Sequence, residues 1–108
     1  MNTNNFMRLI VMFDLPVVEK EDRRNAAHFR QFLIKNGYIM LQYSVYYRIV
    51  NGLDMAKKHE KKLKNVVPHK GSIRVLRITE KQFNSMKILA GYKSDNENKI
   101  NSNLLTKF

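Results

Sequence analysis

The sequence contains no cysteine, which excludes disulfide frameworks, thiolate zinc sites, iron–sulfur clusters and cysteine nucleophiles together. Its longest apolar run, Leu9 to Phe13, is far shorter than the roughly 20 residues that span a bilayer. The Asn-rich opening, Met1 to Asn5, lacks the basic-then-apolar order of a signal peptide. The expectation is a cytoplasmic chain with no membrane partner. Acidic residues are scarce: 9 Asp plus Glu stand against 20 Lys plus Arg, a formal net charge of +11 on 108 residues. A field of that sign draws in polyanions and releases their condensed counterions on contact, so nucleic acid is the leading class of partner. A merely soluble basic protein is the bland alternative, although a surface of mixed sign would serve solubility equally well.

What remains is ample for one domain and too short for two. Hydrophobic residues make up 44% of the chain and aromatics 10%, which separates it from a disordered basic tail of similar charge. Met7 to Asp14 is apolar on both faces after Arg8, the pattern of a central strand covered on both sides. It stops at Asp14-Leu15-Pro16, where Pro16 cannot continue a ladder. From Glu19 to Asn36 the spacing is helical. Ala26, Phe29, Phe32 and Leu33 share one face, Glu19, Glu21 and Asp22 occupy the dipole-favoured first turn, and Asn36-Gly37 supplies the stop.

Tyr38 to Val50, rich in aromatic and branched residues, reads as one long, bent strand. After Asn51-Gly52, Asp54 reads as the N-cap of a helix to about Asn65, with Met55, Ala56, His59 and Leu63 inward. Ser72 to Ile78 reads as a further strand. Thr79-Glu80-Lys81-Gln82 is a capping-box pattern opening a short helix through Met86, and Lys87 to Tyr92 reads as a last strand. The alternation suits an α+β, ferredoxin-like βαββαβ sandwich over residues 1–92. Either the Tyr38 to Val50 span is split, or a strand precedes a helix longer than it looks. The tail, Lys93 to Phe108, is polar but carries Ile100, Leu104, Leu105 and Phe108. It is either disordered or an extra C-terminal strand that pairs with another chain.

At about 100° per residue, Lys20, Arg23, Arg24, Arg30 and Lys35 fall within an arc of roughly 140° opposite Phe29, Phe32 and Leu33. The second helix repeats the arrangement with Lys57, Lys58, Lys61, Lys62 and Lys64, relieved only by Glu60. Charged outer faces often do no more than solvate a helix, but guanidinium forks suit phosphate oxygens, and two such faces make a phosphate track. Binding by backbone contact is expected, because the RRM aromatic-glycine pattern, the KH GXXG loop and zinc-finger ligands are all missing. Tyr43, Tyr46 and Tyr47 are either stacking platforms or core residues.

Catalytic inventory is thin. His28, His59 and His69 show no metal-ligand spacing, and Ser44 and Ser72 have no evident His-Asp partners. Asp14 differs, because a carboxylate at the end of a buried strand is well displayed; it is either a turn cap or a functional acid. Two copies of Asp14 across a dimer axis could share one hydrated Mg2+, which would activate water.

Three blocks carry a resemblance: Met7 to Pro16; Phe29-Arg30-Gln31-Phe32-Leu33 with Gly37 to Tyr46; and Lys70-Gly71-Ser72-Ile73-Arg74 followed by Thr79-Glu80-Lys81-Gln82-Phe83. Together they resemble the CRISPR-associated protein two family, most closely its type II members, over about Met7 to Tyr92. The resemblance implies a ferredoxin-like homodimer with sheets meeting back to back, the tail adding a strand to the partner. It implies that the long second segment is one strand paired with the first. It further implies a scaffold for spacer acquisition, in which the dimer lies under duplex prespacer DNA and bridges two dimers of the adaptation integrase. Members are also described as metal-dependent endoribonucleases or deoxyribonucleases, with the strand-ending acid, here Asp14, linked to magnesium. A structural RNA-binding protein is the third reading; it fits the charge but not the three blocks.

Overall fold

Nine residues, Phe6–Asp14, form the strand β1 around which the other elements are arranged. The computed structural model describes residues 6–91. After β1 come helix α1 (Lys20–Lys35), strands β2 (Ile39–Gln42) and β3 (Val45–Asn51), helix α2 (Leu53–Lys64), strand β4 (Ser72–Thr79) and the short helix α3 (Glu80–Asn84). The four strands form one antiparallel sheet in the order β2-β3-β1-β4. This is the α+β, ferredoxin-like βαββαβ arrangement, with α3 appended.

The alternation of β1 sends Leu9, Val11 and Phe13 to one face and Ile10 to the other. On the first face they meet Phe29 and Leu33 of α1, Ala56 and Leu63 of α2, and Tyr46 and Val50 of β3. Phe13 sits edge-on to Phe29 at 5.1 Å and stacks on Tyr46 at 5.8 Å, contacts worth about 0.5–1.5 kcal/mol each beyond burial. On the second face Ile10 and Tyr47 pack under Phe83 of α3. Arg8 fastens α3 there: its guanidinium lies 4.0 Å from the Phe83 ring and 4.8 Å from that of Tyr47, and pairs in a fork with Glu80 at 2.6 and 3.2 Å.

The capping box holds as expected: Gln82 N donates to Thr79 Oγ1 and Thr79 N to Gln82 Oε1. Three expectations need correction. Tyr38 to Val50 is a hairpin, not one strand: Tyr43-Ser44 turns the chain, Ser44 at φ 64°, and only the second arm pairs with β1. Met7↔Val50 through Met12↔Val45 is the register, so the single-strand pairing implied by the resemblance does not hold. Residues 87–91 form no strand; Leu89 is 93% exposed and has no neighbouring strand to pair with, while Tyr92 lies outside the described residues. Helix α2 is capped by Gly52, and Asp54 falls inside its first turn. The C-terminal tail, with its expected extra strand, also lies outside the described residues.

Candidate nucleic-acid interface

Asp14 is the last residue of β1, exposed, and opposite Ser72 in the ladder with β4. Its place is held from both sides. Phe13 N donates to Ser44 O at 3.0 Å, which hooks the β2–β3 turn onto the strand end. On the other side Gly71, at φ +98°, lies so close that a Cβ there would stand 2.6 Å from Asp14 O and 2.8 Å from Leu15 Cδ2. Only glycine permits that approach at that backbone angle.

Arg30 reaches the same end of the sheet from α1. Its guanidinium stands 5.9 Å from the Phe13 ring and 5.5 Å from that of Tyr43, and Nη2 donates to Tyr43 Oη at 3.3 Å. Neither the Arg30–Tyr43 pair nor the facing of Asp14 and Ser72 is visible in the sequence, because the one depends on where the Tyr38 to Val50 span splits and the other on register. Tyr43, 76% exposed, is the one tyrosine of the three expected candidates that nucleic acid can reach; Tyr46 and Tyr47 are buried in the two cores.

The rest of the basic arc of α1 divides by use. Arg23 Nη1 donates to the carbonyls of Val17 and Val18 at 3.1 and 2.8 Å and so braces the loop between β1 and α1. Lys20, Arg24 and Lys35 are exposed and make no side-chain hydrogen bond or ion pair among the described residues. On α2, Lys57, Lys58, Lys61, Lys62 and Lys64 are all exposed. Glu60, which in sequence relieves them, does not: its carboxylate is held by Arg77 of β4 at 2.5 and 3.0 Å. That fork raises the Arg77 pKa further and ties Glu60 to the sheet, which leaves exposed Asp54, in the first turn, as the other acid of α2.

Of the histidines, His59 is buried on α2. Burial foremost, then the charges of Arg48, Lys62 and Lys58, lowers its pKa from the ordinary histidine value. Beside it Arg48 donates to Asn36 O at the end of α1. Burial pushes the Tyr38 hydroxyl up to about 12, against a smaller opposite pull from Arg48. Tyr38 Oη and Arg48 Nε are buried without hydrogen-bond partners. These groups brace the helix ends rather than display chemistry.

Among the described residues no group of three or more His, Asp or Glu side chains could hold a metal ion. One chain offers Asp14, with the Ser72 hydroxyl facing it across the ladder. Mg2+ is commonly held by one or two carboxylates plus waters, so this donor set meets only the lower end of that range. No helix among the described residues is long and apolar enough to cross a membrane.

The family profile described as CRISPR associated protein Cas2 matches residues 7–86. A protein of Acidovorax ebreus named CRISPR-associated endoribonuclease Cas2 is 54% identical over 96 residues, covering 89% of this chain and 94% of that one. A protein of the same name from Campylobacter jejuni is 46% identical over 105 residues, covering 97% and 73%. The fold is similar to a solved structure titled "Crystal structure of cas2", with a TM-score of 0.56 at 16% identity over 83% of this chain and 91% of that one. The strand-ending acid, the basic helices and the βαββαβ sheet thus sit in a frame that these relatives share, and the chain belongs to the CRISPR-associated protein Cas2 family.

Proposed function

We propose that this protein acts in CRISPR adaptation as a homodimeric scaffold that binds duplex prespacer DNA through its phosphate backbone and bridges dimers of the adaptation integrase. The observation that carries the DNA reading is the exposed lysine face of α2, five lysines with the acid among them, Glu60, paired to Arg77, alongside the free cations Lys20, Arg24 and Lys35 of α1. Such contacts position a duplex without reading its bases.

The dimer reading rests on the second face of the sheet. Helices α1 and α2 cover only the first face, and α3 screens only part of the other. Ile49 and Leu76, 47% and 50% exposed, remain there beside Met12 and Val45. A sheet face of that composition suits a second copy of itself. Strand β4 has a free edge among the described residues, where a strand from a partner's tail would add.

A magnesium-dependent endonuclease, acting on single-stranded RNA or duplex DNA, is the second reading. It is favoured by Asp14 displayed at a braced strand end, and by the relatives' name, endoribonuclease. Asp14 from each protomer would hold the ion, which supplies an activated water when bound. Arg30, anchored on Phe13 and Tyr43 on the helix side of the same strand end, would hold a phosphate flanking the one attacked.

One experiment separates the two. Cleavage of labelled single-stranded RNA and duplex DNA is measured with and without Mg2+ for the wild type and Asp14→Ala, with duplex binding followed across salt on the same samples. Tight, salt-dependent binding that survives Asp14→Ala is the expected result. Loss of Mg2+-dependent cleavage in that variant would establish the nuclease; cleavage absent or equal in both would remove it. Failure to bind duplex at low salt would overturn the scaffold.

A further inference from the structure

The Tyr38 hydroxyl and Arg48 Nε are side-chain polar atoms shut off from solvent with no hydrogen-bond partner among the described residues, and the fold brings them together. One step outward from the Ile39↔Tyr47 pair of the β2–β3 ladder, Tyr38 and Arg48 stand opposite each other. Both belong to the helix side of the sheet, since Tyr38 lies in the core with Leu9, and Leu9 is the ladder partner of Arg48. Helix α2 covers them: its buried His59 falls between Ala56 and Leu63, on the stripe that shares that core. The end of α1 borders them, where Arg48 Nη1 donates to Asn36 O and the guanidinium lies so near Gly37 that a Cβ there would overlap it.

What these groups offer is donors. A guanidinium has N–H bonds and no acceptor. Burial pushes the Tyr38 pKa up to about 12, so its O–H keeps its proton, and the lowered pKa of His59 leaves that ring neutral at neutral pH, with one N–H. The charge around them is positive in balance. Arg48 acts on both Tyr38 and His59, and Lys62 and Lys58 add to it at His59. Glu60 acts on Tyr38 less than Arg48 does and is already forked to Arg77. Enclosed donors in a positive field call for an acceptor that carries negative charge. A water molecule suits them less, because it brings two more O–H groups to a place short of acceptors. With both orphan atoms cut off from solvent, the acceptor is of atomic size, a halide rather than a phosphate or a carboxylate.

We infer that a chloride ion binds in this seam, accepting hydrogen bonds from Tyr38 Oη and Arg48 Nε beneath His59. The ion joins β3, α2 and the end of α1 at one point. It is thus part of the frame on which the lysine face of α2 is mounted, not of the surface that meets nucleic acid, and it stands whether or not the protein is a scaffold.

Two measurements test it. Thermal unfolding of the wild type and Tyr38→Phe is followed as sodium chloride replaces sodium gluconate at constant ionic strength. The substitution removes the hydroxyl, keeps the ring and leaves the formal net charge at +11, so the general effect of anions on a basic protein is common to both chains. The wild-type midpoint is expected to rise by about 4–8 °C once chloride is about five times its dissociation constant, and the variant's midpoint much less. An equal rise in both, or none in the wild type, overturns the site. Crystals of the wild type grown in sodium bromide give a reading that does not depend on the variant folding. An anomalous peak between Tyr38 Oη and Arg48 Nε is expected, and density without anomalous signal there, the mark of a water, overturns the ion. A bromide peak with no chloride effect in solution is binding at crystal concentration only and overturns it as well.

Discussion

The two long helices carry similar charge and spend it differently. On α1 two of the five arc cations are built into the fold: Arg23 spans loop carbonyls and Arg30 leans on Phe13 and Tyr43. On α2 every lysine is free, and the one acid between them is drawn off to the sheet edge. The arginines of α1 thus place charge at fixed points, on the loop after β1 and on the Phe13–Tyr43 pair, and the lysines of α2 spread it over a surface. Fixed charge suits holding one phosphate; spread charge suits counterion release along a backbone.

Four outcomes would sharpen or break that contrast. The largest is for Lys57, Lys58, Lys61 and Lys62 replaced together by Ala. Duplex affinity at constant salt should fall about 10- to 1,000-fold, and the slope of log affinity against log salt should shrink by about 0.9 for each phosphate no longer neutralised. The urea midpoint should hold, since none of the four is buried. An unchanged salt slope would end the idea that α2 is a phosphate surface.

Next is Arg30→Lys, which keeps the charge and removes the planar fork. Thermal denaturation should show a loss of about 1 kcal/mol from the packing on Phe13 and Tyr43. Any Mg2+-dependent cleavage should drop much further than duplex affinity, because the substitution unseats one positioned group and leaves the net charge as it was. If affinity and cleavage fell together, α1 would be no different in kind from α2.

A smaller effect comes from His59, which touches both helices' charge only at a distance. Its pKa is lowered in the folded state, so the unfolded chain binds the proton more readily. Stability should be full above the unfolded value of about 6.5 and fall as pH drops below it, levelling off beneath the folded value. Urea midpoints at neutral and mildly acidic pH, for wild type and His59→Gln, measure it. A slope that persists in the variant would assign the acid sensitivity elsewhere. The smallest change is expected from Arg77→Ala, which releases Glu60 toward the lysines. Duplex binding should weaken about twofold at low salt and not at high salt, where exposed charges are screened.

Much of this architecture can be read in the residues themselves. The doubly apolar run of β1, the 3.6-residue stripe of Ala26, Phe29 and Leu33, and the Thr79–Gln82 box are local signals, and each marks its element. The hairpin is only half legible: a split of the Tyr38 to Val50 span is one of two readings the sequence leaves open, but its turn carries no Gly, Asn or Pro, and nothing marks Ser44 as the residue that takes the left-handed angle. Ile88 and Leu89 mislead the other way: their apolar side chains suggest a strand, yet neither joins the sheet, and they are 46% and 93% exposed. For the site, Asp14 and the basic arcs follow from position and period. The diversion of Glu60 does not, because its partner is 17 residues away on another element.

Strand β1 is bonded along both edges and covered on its helix side throughout. In hydrogen-exchange terms the amides from Leu9 to Phe13 should be among the last to open, at close to the free energy of global unfolding. Asp14 is the tip of that slow segment, while the chain beyond it, from Pro16 to Val18, is loop. A carboxylate so mounted does not share the excursions of the loop. In the proposed dimer, where two such tips stand relative to each other would then be set by how the two sheets seat together, and a change in that seating would reach the carboxylates as a rigid displacement.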